Sequence, residues 1–144
     1  MPDKICLHAT LVKLKSSGIL LLGKSGSGKS DLALRLIENK GARLVADDIV
    51  MIERKQNKIY GSAPDNLRGM LEVRGVGIVT YPHIKKSEIN MAVKLADSSG
   101  KTERMPIAAK EMILGLEIKQ IDLYAKENSA PDKIIAALRL SDSL

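Results

Sequence analysis

The sequence predicts a single α/β domain over residues 1–144, with a strongly curved, mixed β-sheet and few helices. Three observations carry this. Residues 19–22 read Ile-Leu-Leu-Leu, a short, wholly apolar run suited to a strand covered on both faces. A glycine-rich loop follows at once and leads into an amphipathic helical segment. Downstream, hairpin-like β-rich segments outnumber helical ones.

Taken in order, Ile5–Leu14 is apolar and β-branched with partial alternation, which predicts one strand. Ser16-Ser17-Gly18 predicts a turn, and Ile19–Leu22 the buried strand. In Ser30–Asn39, Leu32 with Leu36 and Ala33 with Ile37 fall at i, i+4 spacing, which predicts a helix ended by Gly41. Arg43–Ala46 is a second short buried strand that closes on Asp47-Asp48. Ile49–Glu53 and Lys58–Tyr60 predict a hairpin around Lys55-Gln56-Asn57. Pro64–Gly69 reads as a loop with one helical turn, and Leu71–Thr80 as a β-branched, Gly-interrupted segment. Ile89–Ala96 predicts a strand, Asp97–Thr102 a polar turn and Ile118–Tyr124 a last strand. Pro131–Leu140 predicts a last helix with proline in its first turn.

Composition narrows the function classes. The chain is 44% apolar and 28% charged, ordinary for a globular domain. Three Tyr are its only aromatics, so the core is aliphatic and base stacking on an aromatic platform is disfavoured. The net charge of +6 is spread along the chain, with Lys85-Lys86 the densest short run, so a solvated surface is expected rather than a nucleic-acid interface. One cysteine, Cys6, excludes an intrachain disulfide and reads as a small hydrophobe. No apolar run approaches a membrane span and the N-terminus has no signal-like stretch, which predicts a cytoplasmic protein.

The strongest motif is Gly23-Lys24-Ser25-Gly26-Ser27-Gly28-Lys29-Ser30, which fits G-x-x-x-x-G-K-[ST] at every fixed position. The chemistry needs this composition. Glycines let the backbone wrap a phosphate without Cβ clashes, consecutive N–H groups form an anion nest, and the following helix adds its positive end. Lys29 is expected to reach the β- and γ-phosphates and the Ser30 hydroxyl to ligate Mg²⁺. The loop lies between a buried strand and an amphipathic helix, as that mechanism requires. A nucleoside triphosphate with magnesium is therefore the expected ligand.

Candidates for the chemistry follow. Asp47 and Asp48 end the strand after the loop's helix, where a carboxylate can hold Mg²⁺ or orient a nucleophile. A solvated strand-end turn is the alternative. Glu72 and Arg74, two apart, suit a metal ligand beside a phosphate clamp, but by spacing alone a surface ion pair is the better reading. Gly75 and Gly77 permit close backbone approach. His8, alone in an apolar strand, reads as a satisfied core histidine. Arg104, in a polar stretch, and His83, in a loop after Pro82, carry no signal of their own.

Together, His8, the GKSGSGKS loop, LVADD and LEVRGVGIV resemble the catalytic domain of HPr kinase/phosphorylase. That family phosphorylates a serine of HPr, the phosphocarrier of the bacterial phosphotransferase system. The resemblance covers about Ile5 to Leu140 and is strongest from Leu22 to Val79. It implies a P-loop NTPase-like core of the phosphoenolpyruvate-carboxykinase-like variety. It also implies ATP and Mg²⁺ as cofactors, HPr as partner, inorganic phosphate as a second acceptor, and a homo-oligomer, hexameric in the family. Residue by residue, it places the phosphate loop on Gly23, Lys24, Ser25, Gly26, Ser27, Gly28, Lys29 and Ser30. The catalytic base falls on Asp47, the metal glutamate on Glu72 and the neighbouring arginine on Arg74. The active-site histidine falls on His8, holding Asp48 or Asp47, and a later arginine on Arg104. These matches reverse the residue-only readings of His8 and Glu72.

The chain departs from longer members in two ways. It resembles the short form, without the N-terminal domain, and Tyr124–Pro131 stands where longer members carry a Pro-Gly-Arg-Asn-like stretch associated with dephosphorylation. The leading expectation is an ATP-dependent serine protein kinase. Its rival is a nucleotide-binding switch that transfers no phosphate to protein. The chain has no Asn-Lys-x-Asp sequence after the loop, which argues against guanine recognition.

Overall fold

The structure is a computed structural model that describes residues 3–97 and 109–140. Its centre is a six-stranded mixed sheet in the order β11-β12-β10-β3-β2-β4. These strands are Ala109–Ile113 (β11), Leu116–Leu123 (β12), Met91–Leu95 (β10), Ser17–Leu22 (β3), Thr10–Leu14 (β2) and Arg43–Ala46 (β4). β3, β10 and β12 run parallel, while β2 is antiparallel to both β3 and β4. The carboxyl ends of β3, β4, β10 and β12 therefore share one edge, and loops from such an edge build ligand sites in open α/β sheets.

Both faces of this sheet are buried around β3, as the apolar Ile-Leu-Leu-Leu run requires. Helices α1 (Lys29–Lys40) and α2 (Ala130–Arg139) cover one face, with Val12, Ile19, Leu21, Leu32, Leu36 and Ile134 in one aliphatic cluster. A four-stranded antiparallel sheet covers the other. It pairs β1 (Lys4–His8), β5 (Ile49–Lys55), β6 (Lys58–Ser62) and β9 (Lys86–Glu88) in that order. Leu11, Leu20, Val45, Ile52 and Ile59 fill the space between the sheets. Successive residues of β3 thus enter opposite cores: Ile19 and Leu21 face the helices, and Leu20 faces the second sheet.

The expected strand Ile5–Leu14 is in fact two strands. β1 pairs with β5 in one sheet and β2 with β3 and β4 in the other, the chain changing sheets at Ala9. Hydropathy could not mark the break, because both halves are equally apolar. The expected turn at Ser16–Gly18 lies one residue earlier, at Lys15-Ser16, and Lys15 takes φ 56. Gly18 belongs to β3 for a different reason: a Cβ there would lie 1.8 Å from the Glu88 carbonyl oxygen, so only glycine lets β9 pass. Leu71–Thr80 folds back as a hairpin of β7 (Met70–Val73) and β8 (Gly77–Thr80), turning at Arg74–Val76. β9 and β11 were not expected. The β11–β12 turn at Leu114-Gly115, both at positive φ, is the primed-turn signal that marks that hairpin. The remaining elements fall within a few residues of expectation, including the single 3₁₀ turn at Asp65–Leu67. Of the expected turn at Asp97–Thr102, residues 98–102 lie outside the described residues, as does Arg104.

Candidate active site

The loop after β3 begins a cleft of about 450 Å³ lined by residues of the loop, β1, β2, the β4–β5 junction, the β7–β8 hairpin and the β12–α2 connection. Gly26 and Gly28 adopt φ 82 and 101, the left-handed region that glycine enters without strain. Gly28 caps α1 without any side-chain hydrogen bond, so the first turn's N–H groups remain open to an anion. Ser27 Oγ is buried with no hydrogen-bond partner. Ser27 itself does not line the cleft, its Oγ lying against Gly23, but the open N–H groups and the glycines at positive φ form a donor set that fits a polyphosphate.

Lys29 is buried, and its Nζ donates to the carbonyls of Gly23 at 2.6 Å and Lys24 at 3.0 Å. Burial lowers its pKa, against the opposing pull of the Asp47 and Asp48 charges. A lysine so desolvated gains most from an anionic partner, and phosphate oxygens offer that in place of the two neutral carbonyls.

Asp47 is the most constrained carboxylate of the site. It is buried, and Oδ1 accepts from Ser30 Oγ and from Thr10 Oγ1, each at 2.8 Å. Oδ2 faces the Glu72 backbone N–H at 3.3 Å. Asp48 points elsewhere: His8 Nε2 donates to its Oδ1 across 2.8 Å, with both side chains more than half exposed. The two aspartates diverge because Asp48 has φ 71 and the Ile49 N–H bonds back to the Asp47 carbonyl at 2.8 Å, a γ-turn about Asp48. Such a backbone is strained for a non-glycine residue, and strain of this kind clusters at functional sites.

The structure therefore gathers His8, Lys29, Ser30, Asp47, Asp48, Glu72 and Arg74 around one cleft. Ser25, Gly26 and Gly28 line it as well, while Gly23 and Lys24 meet it through the carbonyls that hold Lys29. No ion pair joins Glu72 to Arg74 among the described residues: Glu72 is on β7 and Arg74 in the turn beyond it. Nor is His8 a core histidine; it is exposed and carboxylate-bound. Cys6, read as a small hydrophobe, is exposed on β1. Sequence reasoning missed Thr10, whose only signal was a hydroxyl in an apolar strand. It also missed Ala125 and Lys126, which line the cleft from the far side.

The oxygens of Ser30, Asp47 and Glu72 are the ligand type magnesium prefers, and a hydroxyl beside a carboxylate at the foot of a phosphate loop suits a triphosphate-bound ion. Among the described residues no group of three or more His, Cys, Asp or Glu side chains is placed to hold a metal unaided.

Comparison with known proteins gives the family. The family model of the HPr serine kinase C-terminal domain matches residues 1–141. The chain belongs to this family. The HPr kinase/phosphorylase of Malacoplasma penetrans (strain HF-2) is 35% identical over 155 residues, covering 97% of this chain and 51% of the relative. That of Lactobacillus acidophilus is 34% identical over 131 residues, covering 83% of this chain and 40% of the relative. That of Clostridium tetani reaches 51% identity over 78 residues, 54% of this chain and 25% of the relative. This member of the family thus spans about half or less of the length of these curated relatives. Among solved structures, the Hpr(Ser) kinase/phosphatase from Coxiella burnetii superposes with a TM-score of 0.81 at 26% identity, covering 94% of this chain and 88% of that one. The family fold accounts for the mixed sheet and the paucity of helices. No helix among the described residues is long and apolar enough to cross a membrane.

Proposed function

We propose that the protein is an ATP- and Mg²⁺-dependent serine kinase acting on HPr. The observation that carries this reading is Asp47, a buried carboxylate fixed by Thr10, Ser30 and the Glu72 N–H at the end of the cleft beside the phosphate loop. Membership in the HPr serine kinase C-terminal domain family supports HPr as the acceptor.

In this mechanism the loop amides of Gly26–Ser30 and the Lys29 ammonium hold the β- and γ-phosphates. Ser30 and Glu72 would hold the magnesium ion, which when bound would neutralise charge on the phosphates. Asp47 takes the proton of the acceptor serine as its hydroxyl oxygen attacks the γ-phosphorus and the bond to the β–γ bridging oxygen breaks. Arg74, in the hairpin turn over the cleft, offsets charge on the transferred group, and Arg104 is proposed for the same task. His8 holds Asp48, whose charge, after that of Asp47, opposes the lowering of the Lys29 pKa by burial. In the reverse direction, with inorganic phosphate as acceptor, Asp47 returns the proton to the departing serine and pyrophosphate leaves. We assign the site to the cytoplasm, where HPr and ATP occur together.

The test is incubation with γ-labelled ATP, Mg²⁺ and HPr. Labelled phosphoserine on HPr supports the kinase. ATP binding that Lys29→Ala abolishes, with no label on HPr, supports the switch instead. Asp47→Asn is expected to bind ATP while slowing transfer about 10²-fold or more.

A further inference from the structure

The phosphate end and the acceptor end of the cleft are crowded, and His8, Asp47, Asp48, Glu72 and Arg74 lie to one side of the loop. β4, which delivers Asp47, stands two strands from β3 in one direction, across β2. β12 stands two strands away in the other, across β10, and its carboxyl end opens on the same edge. At about 4.8 Å per strand the two flanks are roughly 19 Å apart. A nucleotide whose γ-phosphate meets Asp47 must run away from β4, because His8, Asp47, Asp48, Glu72 and Arg74 occupy that flank.

The opposite flank is built for a fixed contact. The residues after β12, Ala125 and Lys126, line the cleft against the first turn of α1. Ala125 is buried, and a Cβ on Gly28 would sit 3.2 Å from its own Cβ, so loop and helix meet through two small residues. One side chain holds this connection in place. Arg35, on α1, donates through Nη1 to the Glu127 carbonyl at 3.0 Å and through Nη2 to the Ala125 carbonyl. Its Nε lies 3.3 Å from Asp31, one helical turn earlier, at the cleft lip. An arginine that spends its fork on main-chain carbonyls fixes a backbone course, here that of the residues bordering the cleft. Nothing in the phosphoryl-transfer mechanism uses this arrangement.

We propose that the flank between the first turn of α1 and Ala125-Lys126 is the subsite for the nucleoside of the bound triphosphate, with Arg35 its positioning residue. The base lies beside Gly28 and Lys126, with Ala125 beneath them, and Asp31 and Lys126 are the polar groups in reach of ribose and base edges. The proposal rests on the nucleotide reading above, and its test separates the two.

Intact protein is irradiated with Mg²⁺ and an azidopurine triphosphate, with and without excess ATP, and the adduct is mapped by peptide mass spectrometry. The expected adduct lies within residues 124–130 or in the first turn of α1 and disappears with excess ATP. An ATP-protected adduct on β5 or on the β7–β8 hairpin overturns the subsite while leaving nucleotide binding intact. A protein that binds neither the analogue nor ATP overturns both. A second measurement compares ATP with inorganic tripolyphosphate, which has no nucleoside. Wild type should prefer ATP. Arg35→Gln should weaken ATP about five- to tenfold, the scale of losing one pre-ordered contact surface, and leave tripolyphosphate unchanged. The same variant should raise KM for ATP at nearly constant kcat. Equal weakening of both ligands, or wild-type protein that does not distinguish them, overturns the proposal.

Discussion

Thr10 Oγ1 donates to Asp47 Oδ1 across 2.8 Å between two buried side chains 37 residues apart. The bond crosses from the first residue of β2 to the residue that follows β4, and it fixes the rotamer of the proposed base. Thr10→Val keeps the shape and removes the donor. We expect kcat to fall roughly tenfold or more, the scale of misplacing a reacting group, with the ATP dissociation constant nearly unchanged. Thr10→Ser should restore most of the rate. Steady-state kinetics with HPr check this, and a Thr10→Val enzyme of wild-type kcat would leave Thr10 with a packing role only.

Asp48 combines a strained backbone with a side-chain task, and substitution separates them. Asp48→Gly relieves the left-handed strain and should melt no lower than wild type, whereas Asp48→Ala keeps the strain and should lose about 1 kcal/mol relative to the glycine variant. Both remove the partner of His8 and should slow transfer alike. Calorimetry orders the three proteins; an alanine variant more stable than the glycine one contradicts the strain.

Gly18→Ala drives a Cβ into the Glu88 carbonyl, a backbone atom with nowhere to go. The expected cost is about 3 kcal/mol, the upper range for overpacking. Gly75→Ala is the control: its φ is 84 but the space around it is open, so about 1 kcal/mol is expected. Denaturant titration measures both, and equal losses would falsify the steric account.

Glu53 is held at a pKa of about 2, well below its ordinary 4.5, first by its hydrogen bond with Lys86 and then by that with Lys4. The folded pKa is depressed, so the stabilisation is complete above pH 4.5 and is lost as pH falls through about 2. In acid-unfolding curves, wild type and Glu53→Gln should differ by a constant amount near neutrality and converge across that window. A difference independent of pH down to the acid end would refute the assignment.

The phosphate loop was legible because its composition is dictated by a single local task. Asp47 was legible as a strand-end carboxylate, although its partners were not: Thr10 meets it only because the chain changes sheets at Ala9, a tertiary event that leaves no local pattern. His8 read as buried for the same reason, since its apolar neighbours Leu7 and Ala9 face a core that His8 itself does not enter. Glu72 and Arg74 entered through family resemblance, and their common place on the cleft comes from the hairpin turn rather than from strand alternation. Arg35 looked like any charge on an exposed helix face, because its acceptors are main-chain carbonyls some 90 residues away. β11 was hidden by its charges, which an edge strand tolerates well.

The change of sheet at Ala9 also acts as a mechanical gauge. His8 rides on the outer sheet and Thr10 on the inner one, with a single residue between them, so the directions in which the two adjacent aspartates' carboxylates are held depend on the angle at which the sheets are stacked. Gly61 of β6 sets that angle at close range, since a Cβ there would come within 2.5 Å of the Leu11 side chain. A wedge such as Gly61→Ala, far from any phosphate, should therefore register in the rate of transfer as well as in the melting temperature, whereas a substitution that alters only helix packing, such as Ile134→Val, should register in melting alone.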